Sequence, residues 1–302
     1  MHFVKYQALG NDYLVYAGKA PFTLTPAQIG RVCDRHFGIG SDGILLANHS
    51  DSAFGLRILN PDGSEAEKSG NGLRIFSRYL WDCGLVADQP FDVVTAGGTV
   101  TSQVFDEGRT VEVSMGRAEF ACARIPVRVD APEALGYPLE IDGVALEINA
   151  VSMGNPHCVV FVEQTSPELA RRLGPLLENH PLFPRRSNVQ FVQWLARDAL
   201  RVEIWERGAG YTLSSGTSSC AAAAVARRLG LCDEHIDLHL AGGRLEIRVA
   251  DDFQVTMRGA VQRSPPSTWT RKPSPTCAEF PLLPRRPAWI NAGARAAVQT
   301  AT

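Results

Sequence analysis

Two short stretches carry the residues best suited to chemistry: Ser69-Gly70-Asn71-Gly72 and, about half a chain later, Ser215-Gly216-Thr217-Ser218. In each, a hydroxyl and a glycine lead into a helical pattern. Leu73, Phe76 and Leu80 follow the first at i, i+3 and i+7, and an alanine-rich run to Val225 and Leu229, closed by Gly230, follows the second. The spacing predicts two helix N-termini. The first turn of a helix leaves backbone N–H groups unpaired and carries about half a positive charge, so it holds a carboxylate without any basic side chain. If the two ends face each other, they make one anion site with two sides.

The elements that must position these turns can be read from apolar patterning. In the first half, Val4 to Tyr16 reads as strand, polar break at Gly10-Asn11-Asp12, then strand, and Pro26 to Arg35 reads as a helix with Thr25 as N-cap. At such a break Asn11 is ordinarily a turn residue, though its amide could also face a ligand. Strands follow at Ile44 to Leu46, Ala53 to Leu59, between Asp92 and Val104, and at Thr110 to Met115. The pattern then begins afresh. Strands at Leu146 to Ser152 and Cys158 to Val162, a helix near Pro167 to Leu177, strands at Asn188 to Trp194 and Leu200 to Trp205, and the Ser215 helix repeat the earlier order. Three more strands, Ile236 to Leu240, Arg244 to Val249 and Phe253 to Met257, close it. This predicts two domains of similar plan, 1–116 and 117–262, with the site in the cleft between them. The remainder, 263–302, is rich in Pro, Ser and Ala and reads as a disordered or surface-docked tail in which Trp269, Phe280 and Trp289 could pack.

Composition limits what such a site can serve. A chain of 302 residues with 45% apolar and 21% charged residues has ample material for a core, and a formal net charge of -2 without basic runs points to neither nucleic acid nor an anionic membrane. A small molecule is the expected partner. No stretch resembles a secretory leader or membrane span, which makes the cytoplasm the expected compartment. The seven cysteines form no C-x-x-C pair, which suits reduced, mostly buried thiols better than disulfides or a zinc site, and no metal is expected. The loop Gly38-Ile39-Gly40-Ser41-Asp42-Gly43 lacks both the P-loop and dinucleotide spacings, so a phosphate cradle is rejected there. Taken alone, His157 reads as a hydrogen-bonded structural residue and Glu206-Arg207 as an exposed pair.

The motifs in order give these residues another meaning. Gly10-Asn11-Asp12, Gly38 to Gly43, Asn60-Pro61-Asp62-Gly63 running into Gly70-Asn71-Gly72, Met153-Gly154-Asn155-Pro156-His157, Asn188, and Glu206-Arg207-Gly208-Ala209-Gly210 running into Gly216-Thr217 resemble the diaminopimelate epimerase family over about 1 to 262. The resemblance implies an α+β fold of two pseudo-symmetric domains, each a barrel-like antiparallel sheet around a central helix. It also implies a homodimer and an amino acid epimerase or racemase that needs no cofactor. In that family one thiolate removes the α-proton of an amino acid and a thiol on the opposite face returns one, with the carboxylate held between two helix N-termini.

Carried onto this sequence, the resemblance assigns proton transfer to positions 69 and 215, where the chain has Ser69 and Ser215 in place of thiols. It places His157 near the first and Glu206 near the second, as candidate catalytic bases. Asn60, Asn155, Asn188, Glu206 and Arg207 would grip the distal amino acid centre of a diaminopimelate-like substrate, with Asn11 nearby. Gly70, Asn71, Gly216 and Thr217 would offer backbone donors to the reacting carboxylate. Lys68, Tyr211 and Ser218 also depart from the family pattern. A thiol ionises near 8.5 and an alcohol closer to water at about 15.7, so a serine alkoxide costs on the order of 10 kcal/mol more. A helix start offsets about 2 kcal/mol of that, so either serine needs a partner base. Three functions stay open on the sequence: the epimerase, a paralogue with Ser/His/Glu-based isomerase or dehydratase chemistry, and an amino acid binder without turnover.

Overall fold

A hairpin opens the chain, β1 (Phe3–Ala8) against β2 (Asn11–Tyr16), in the computed structural model, which describes residues 1–18, 21–50 and 53–265. The turn is confined to Leu9 and Gly10, both at positive φ, so Asn11 pairs with Ala8 and the second strand starts two residues before the sequence suggests. Helix α1 (Pro26–Cys33) crosses over to lay β3 (Ile44–Ser50) parallel to β2. Thr25 caps α1 with Gln28 in a reciprocal box. The helix stops at Cys33, short of Arg35, because the Asp34 carboxylate accepts from the backbone N–H groups of His36 and Phe37 and holds a turn. Next come β4 (Ala53–Leu59), antiparallel to β3, the short β5 (Glu65–Ala66) and helix α2 (Gly70–Asp82). Then β6 (Phe91–Thr95) returns parallel to β4, followed by antiparallel β7 (Gly98–Phe105) and β8 (Thr110–Arg117).

The second half repeats every step. After β9 (Tyr137–Ile141), the hairpin is β10 (Val144–Ser152) with β11 (Pro156–Phe161), and α3 (Pro167–Glu178) crosses to the parallel β12 (Asn188–Ala196). Antiparallel β13 (Ala199–Glu206), short β14 (Gly210–Thr212), helix α4 (Gly216–Arg228) and β15 (His235–Leu240), parallel to β13, follow. The strands β16 (Gly243–Val249), β17 (Gln254–Ala260) and β18 (Gln262–Arg263) finish the described chain. The fold is α+β and pseudo-symmetric as expected, but the sheets are mixed: each half has two parallel pairings, because each helix is a crossover long enough to return the chain in the same direction. The short strands β5, β9, β14 and β18 have too few alternating residues, or in β9 an interrupting Pro138, to show in the sequence.

The two halves close each other. Strand β8 lies between β7 and β17, and β17 lies between β16 and β8. Past β17, β18 pairs with β1 and completes the first barrel; past β8, Glu119 bridges to Ser152 of β10 and completes the second. Through the barrels run α2, with Leu73, Ile75, Phe76 and Leu80 fully buried, and α4, with no exposed side chain from Ser218 to Ala226. An alanine-rich helix is thin and apolar all round, which suits one surrounded by sheet. The expected tail falls almost wholly on 266–302, outside the described residues, as do Trp269, Phe280 and Trp289; Arg263 still pairs in the sheet.

Candidate active site

Helices α2 and α4 begin against each other. A Cβ on Gly70 would lie 3.2 Å from the Gly216 Cα and 2.8 Å from the Met257 Cε, so only glycines allow the two starts to meet this closely. Ser69 and Ser215 are the N-caps, both extended in backbone. The Ser69 Oγ accepts from the Gly72 N–H at 3.0 Å, whereas Ser215 makes no cap bond with its side chain and is free for other work. The backbone N–H groups of Gly70, Asn71, Gly216 and Thr217 have no acceptor among the described residues, and all four residues line a cavity of about 1200 Å³. The arrangement is a concentration of unpaired donors and positive helix ends with room for an anion.

Strand ends and turns from both halves supply the rest of the wall. Asn11, Asn60, Asn155 and Asn188 line the same cavity, as do Glu206 and Arg207. The Asn188 Oδ1 accepts from the Arg207 N–H at 3.0 Å while its Nδ2 donates to the Pro156 carbonyl at 3.0 Å, fixing the end of β13 against β11. Arg207 is exposed, with Nη1 on the Arg185 carbonyl at 3.1 Å, which leaves most of its guanidinium for a carboxylate. The Asn60 side chain donates through Nδ2 to the Ser64 hydroxyl at 3.0 Å. Asn11 is already committed at both ends: its Nδ2 donates to Asp42 at 2.7 Å and its Oδ1 accepts from Asn71 at 3.1 Å, so it braces the α2 start. Glu206 stands beside the Ser215 hydroxyl; burial pushes its carboxyl above the ordinary range, and the bond from Ser215 offsets part of that.

His157 differs from its expected place. It is fully buried behind the wall, and does not line the cavity. One ring nitrogen, Nε2, is 2.9 Å from the Asn155 Oδ1, and the other, Nδ1, is 3.2 Å from the Gln190 amide, which also donates to Ser218 at 3.0 Å. Its contact is with Asn155 rather than Ser69. The sequence did not disclose what does stand behind Ser69: the Tyr13 hydroxyl, 3.4 Å from the Ser69 Oγ, its acidity weakened by burial to about 12. Nothing distinguishes Tyr13 from any strand aromatic until β2 is placed beside α2. Lys68 lines the cavity with its Nζ on the Met115 carbonyl at 2.9 Å, and burial lowers its affinity for a proton. Tyr211 turns its hydroxyl away to Glu203 at 2.7 Å. Among the described residues no cluster of His, Cys, Asp and Glu is arranged to hold a metal ion.

A family model described as diaminopimelate epimerase matches residues 3–121 and 149–264. Curated relatives include diaminopimelate epimerase 2 of a Nostoc species, 52% identical over 266 residues that cover 87% of this chain and 93% of that protein. The diaminopimelate epimerase of Moorella thermoacetica is 43% identical over 267 residues, 86% of this chain and 95% of that one. The chain belongs to the diaminopimelate epimerase family. Among solved structures, a hydroxyproline epimerase from Agrobacterium vitis superposes with a TM-score of 0.64 at 16% identity, covering 87% of this chain and 88% of that one. A predicted epimerase from Pseudomonas aeruginosa gives 0.63 at 20%, covering 87% and 96%. At such identities these two carry the fold alone.

In this diaminopimelate epimerase family member, burial of His157, with the Arg207 charge nearby, lowers its pKa to about 3. An unfolded histidine protonates near 6.5, so the stability linked to native His157 is whole above that pH and is lost as pH falls toward 3. Denaturant unfolding at pH 7 and pH 4 is expected to differ by roughly 3 kcal/mol more in the unaltered protein than in a His157→Gln variant. Equal acid sensitivity of the two proteins would mean that the ring is not held neutral.

Proposed function

We propose that the protein interconverts stereoisomers of diaminopimelate by moving the α-proton from one face of an α-carbon to the other. The observation that supports this reading is the meeting of two serine-led helix starts, one from each half, each bringing unpaired N–H groups and one hydroxyl to a single cavity. The reacting carboxylate lies between the helix starts, and the asparagines with Arg207 grip the distal amino acid group. As the α C–H bond breaks, the proton passes through the Ser215 hydroxyl to the Glu206 carboxylate, and the electron pair spreads into the substrate carboxylate, where the helix donors stabilise it. On the other side Ser69 gives a proton to carbon and is reloaded from Tyr13, 3.4 Å behind it. Exchange of Glu206 and Tyr13 with solvent restores both groups. His157 then serves by orienting Asn155.

The proposal includes the division into halves at 116/117, which the repeated strand and helix order supports, and a cytoplasmic homodimer as the setting, on family grounds. Incubation with LL- and meso-diaminopimelate in deuterated water is expected to place deuterium at the α-carbon and to interconvert the isomers. Arg207→Ala is expected to weaken calorimetric binding roughly 10- to 150-fold, the range for losing a charge-assisted bond. Binding without exchange at any pH would reduce the protein to a binder, and neither binding nor exchange would remove diaminopimelate altogether.

A further inference from the structure

The most unusual group in the first barrel is Arg74, on α2, three residues after Asn71. Its side chain is fully buried, among the largest such in the molecule. Room for it exists because position 259 is glycine; a Cβ on Gly259 would collide with the Arg74 Nη1. Its guanidinium donates through Nη2 to the Asn71 Oδ1 at 2.5 Å and reaches the Ala260 carbonyl through Nη1 only at 3.5 Å, while Nε has no acceptor. Among the described residues no carboxylate forms an ion pair with it. The ionisable group whose charge bears on it is the thiol of Cys220 on α4, which burial pushes to about 12 and therefore keeps neutral at ordinary pH.

A buried, unpaired cation is expensive, and replacing one with an apolar side chain of similar volume is often neutral or stabilising. Arg74 nevertheless stands directly behind the cavity wall. The Asn71 amide that takes its hydrogen bond donates onward to the Ser214 carbonyl at 3.3 Å and to the Asn11 Oδ1 at 3.1 Å, so the charge is connected to the residue just before the Ser215 cap. Asn71 and Ser214 both line the cavity. The Ser214 Oγ is also buried without a partner, a second sign that the polar groups here are not satisfied by the protein alone.

We propose that the counter-ion of Arg74 is the carboxylate of the bound amino acid, sensed through Asn71, and that Arg74 is a positioning residue that holds the two helix starts at carboxylate width. This rests on the reading of the cavity as an amino acid site. It predicts opposite effects on the empty and the loaded protein. In Arg74→Met the melting temperature without ligand is expected to stay the same or rise, while the upward shift caused by meso-diaminopimelate shrinks and its calorimetric Kd rises at least tenfold. Arg74→Lys, which keeps a charge, should retain most of the shift.

A strut that merely props Asn71 predicts the reverse: a lower melting temperature for the empty Met variant with Kd unchanged, or failure of that variant to fold. Either result overturns the proposal, as would a Lys variant that binds no better than the Met variant. If the unaltered protein is stabilised not by diaminopimelate but by another α-amino acid from a panel, the substrate reading falls and the same comparison is decided on that amino acid. If no α-amino acid stabilises it, both fall.

Discussion

The protein carrying Ser69→Cys and Ser215→Cys together is expected to exchange the α-hydrogen of diaminopimelate roughly a thousandfold faster than the unaltered chain. The backbone of both caps is already in place, and Gly70 and Gly216 leave no slack for the helix starts to move. Only the acidity of the terminal atom changes. The full difference between forming a thiolate and an alkoxide is on the order of 10 kcal/mol. The serine protein avoids much of that by passing its proton to Glu206, so about 4 kcal/mol, or three decades in rate, is the part a thiol should recover. The single variants separate the faces: Ser215→Cys acts on the side that already has a carboxylate, and Ser69→Cys on the side that has only Tyr13. The larger gain is therefore expected from Ser69→Cys. Deuterium incorporation measured by NMR at fixed pH is the test, and unchanged exchange in the double variant would remove positions 69 and 215 from the proton path.

Loss of the carboxylate is the second large effect. Glu206→Gln keeps the shape and a hydrogen-bonding partner for Ser215 but cannot take a proton, and general-base loss of this kind typically costs 10²- to 10⁴-fold. In the serine protein that should abolish detectable exchange; in the Ser69→Cys, Ser215→Cys protein it should cost far less, since a thiolate can carry the proton itself. A pH profile adds an independent check. Burial raises the Glu206 carboxyl, so the active carboxylate form accumulates only above the ordinary range for such groups, and exchange should rise with pH through that displaced value. The stability linked to the same shift runs the other way: it is present below the unfolded pKa and lost as pH rises through the folded one. Glu206→Gln is thus expected to stabilise the fold at neutral pH while abolishing exchange. Full exchange in Glu206→Gln would assign the base elsewhere.

Much of this could be read from the chain, and the remainder fails for identifiable reasons. The starts of α2 and α4 are legible because hydroxyl, glycine and an apolar 3.6-residue period coincide within a few residues, and the apolar pattern of β4 gives its observed ends, Ala53–Leu59. The cross-pairing of β8 with β17 is not, since it joins residues more than a hundred apart and leaves no local pattern. Arg74 reads in sequence as the polar face of an amphipathic helix; its burial depends on a glycine in β17. Tyr13 has the same difficulty. The sequence neighbours of His157 single it out, but its depth is set by Gln190 on β12, itself bonded to Ser218 on α4, which sequence spacing does not relate to it.

The exchange of closing strands between the halves has a consequence for how such a chain could have arisen. A half-length ancestor with this plan could not have closed its own barrel, since the last strand of each half completes the sheet of the other. It would have been complete only as a pair of identical chains trading strands, with one helix start and one hydroxyl from each. Joining the copies end to end would have freed the two hydroxyl positions to diverge, one coming to rest against a phenol and the other against a carboxylate. The asymmetry between the two faces would then be younger than the symmetry of the fold.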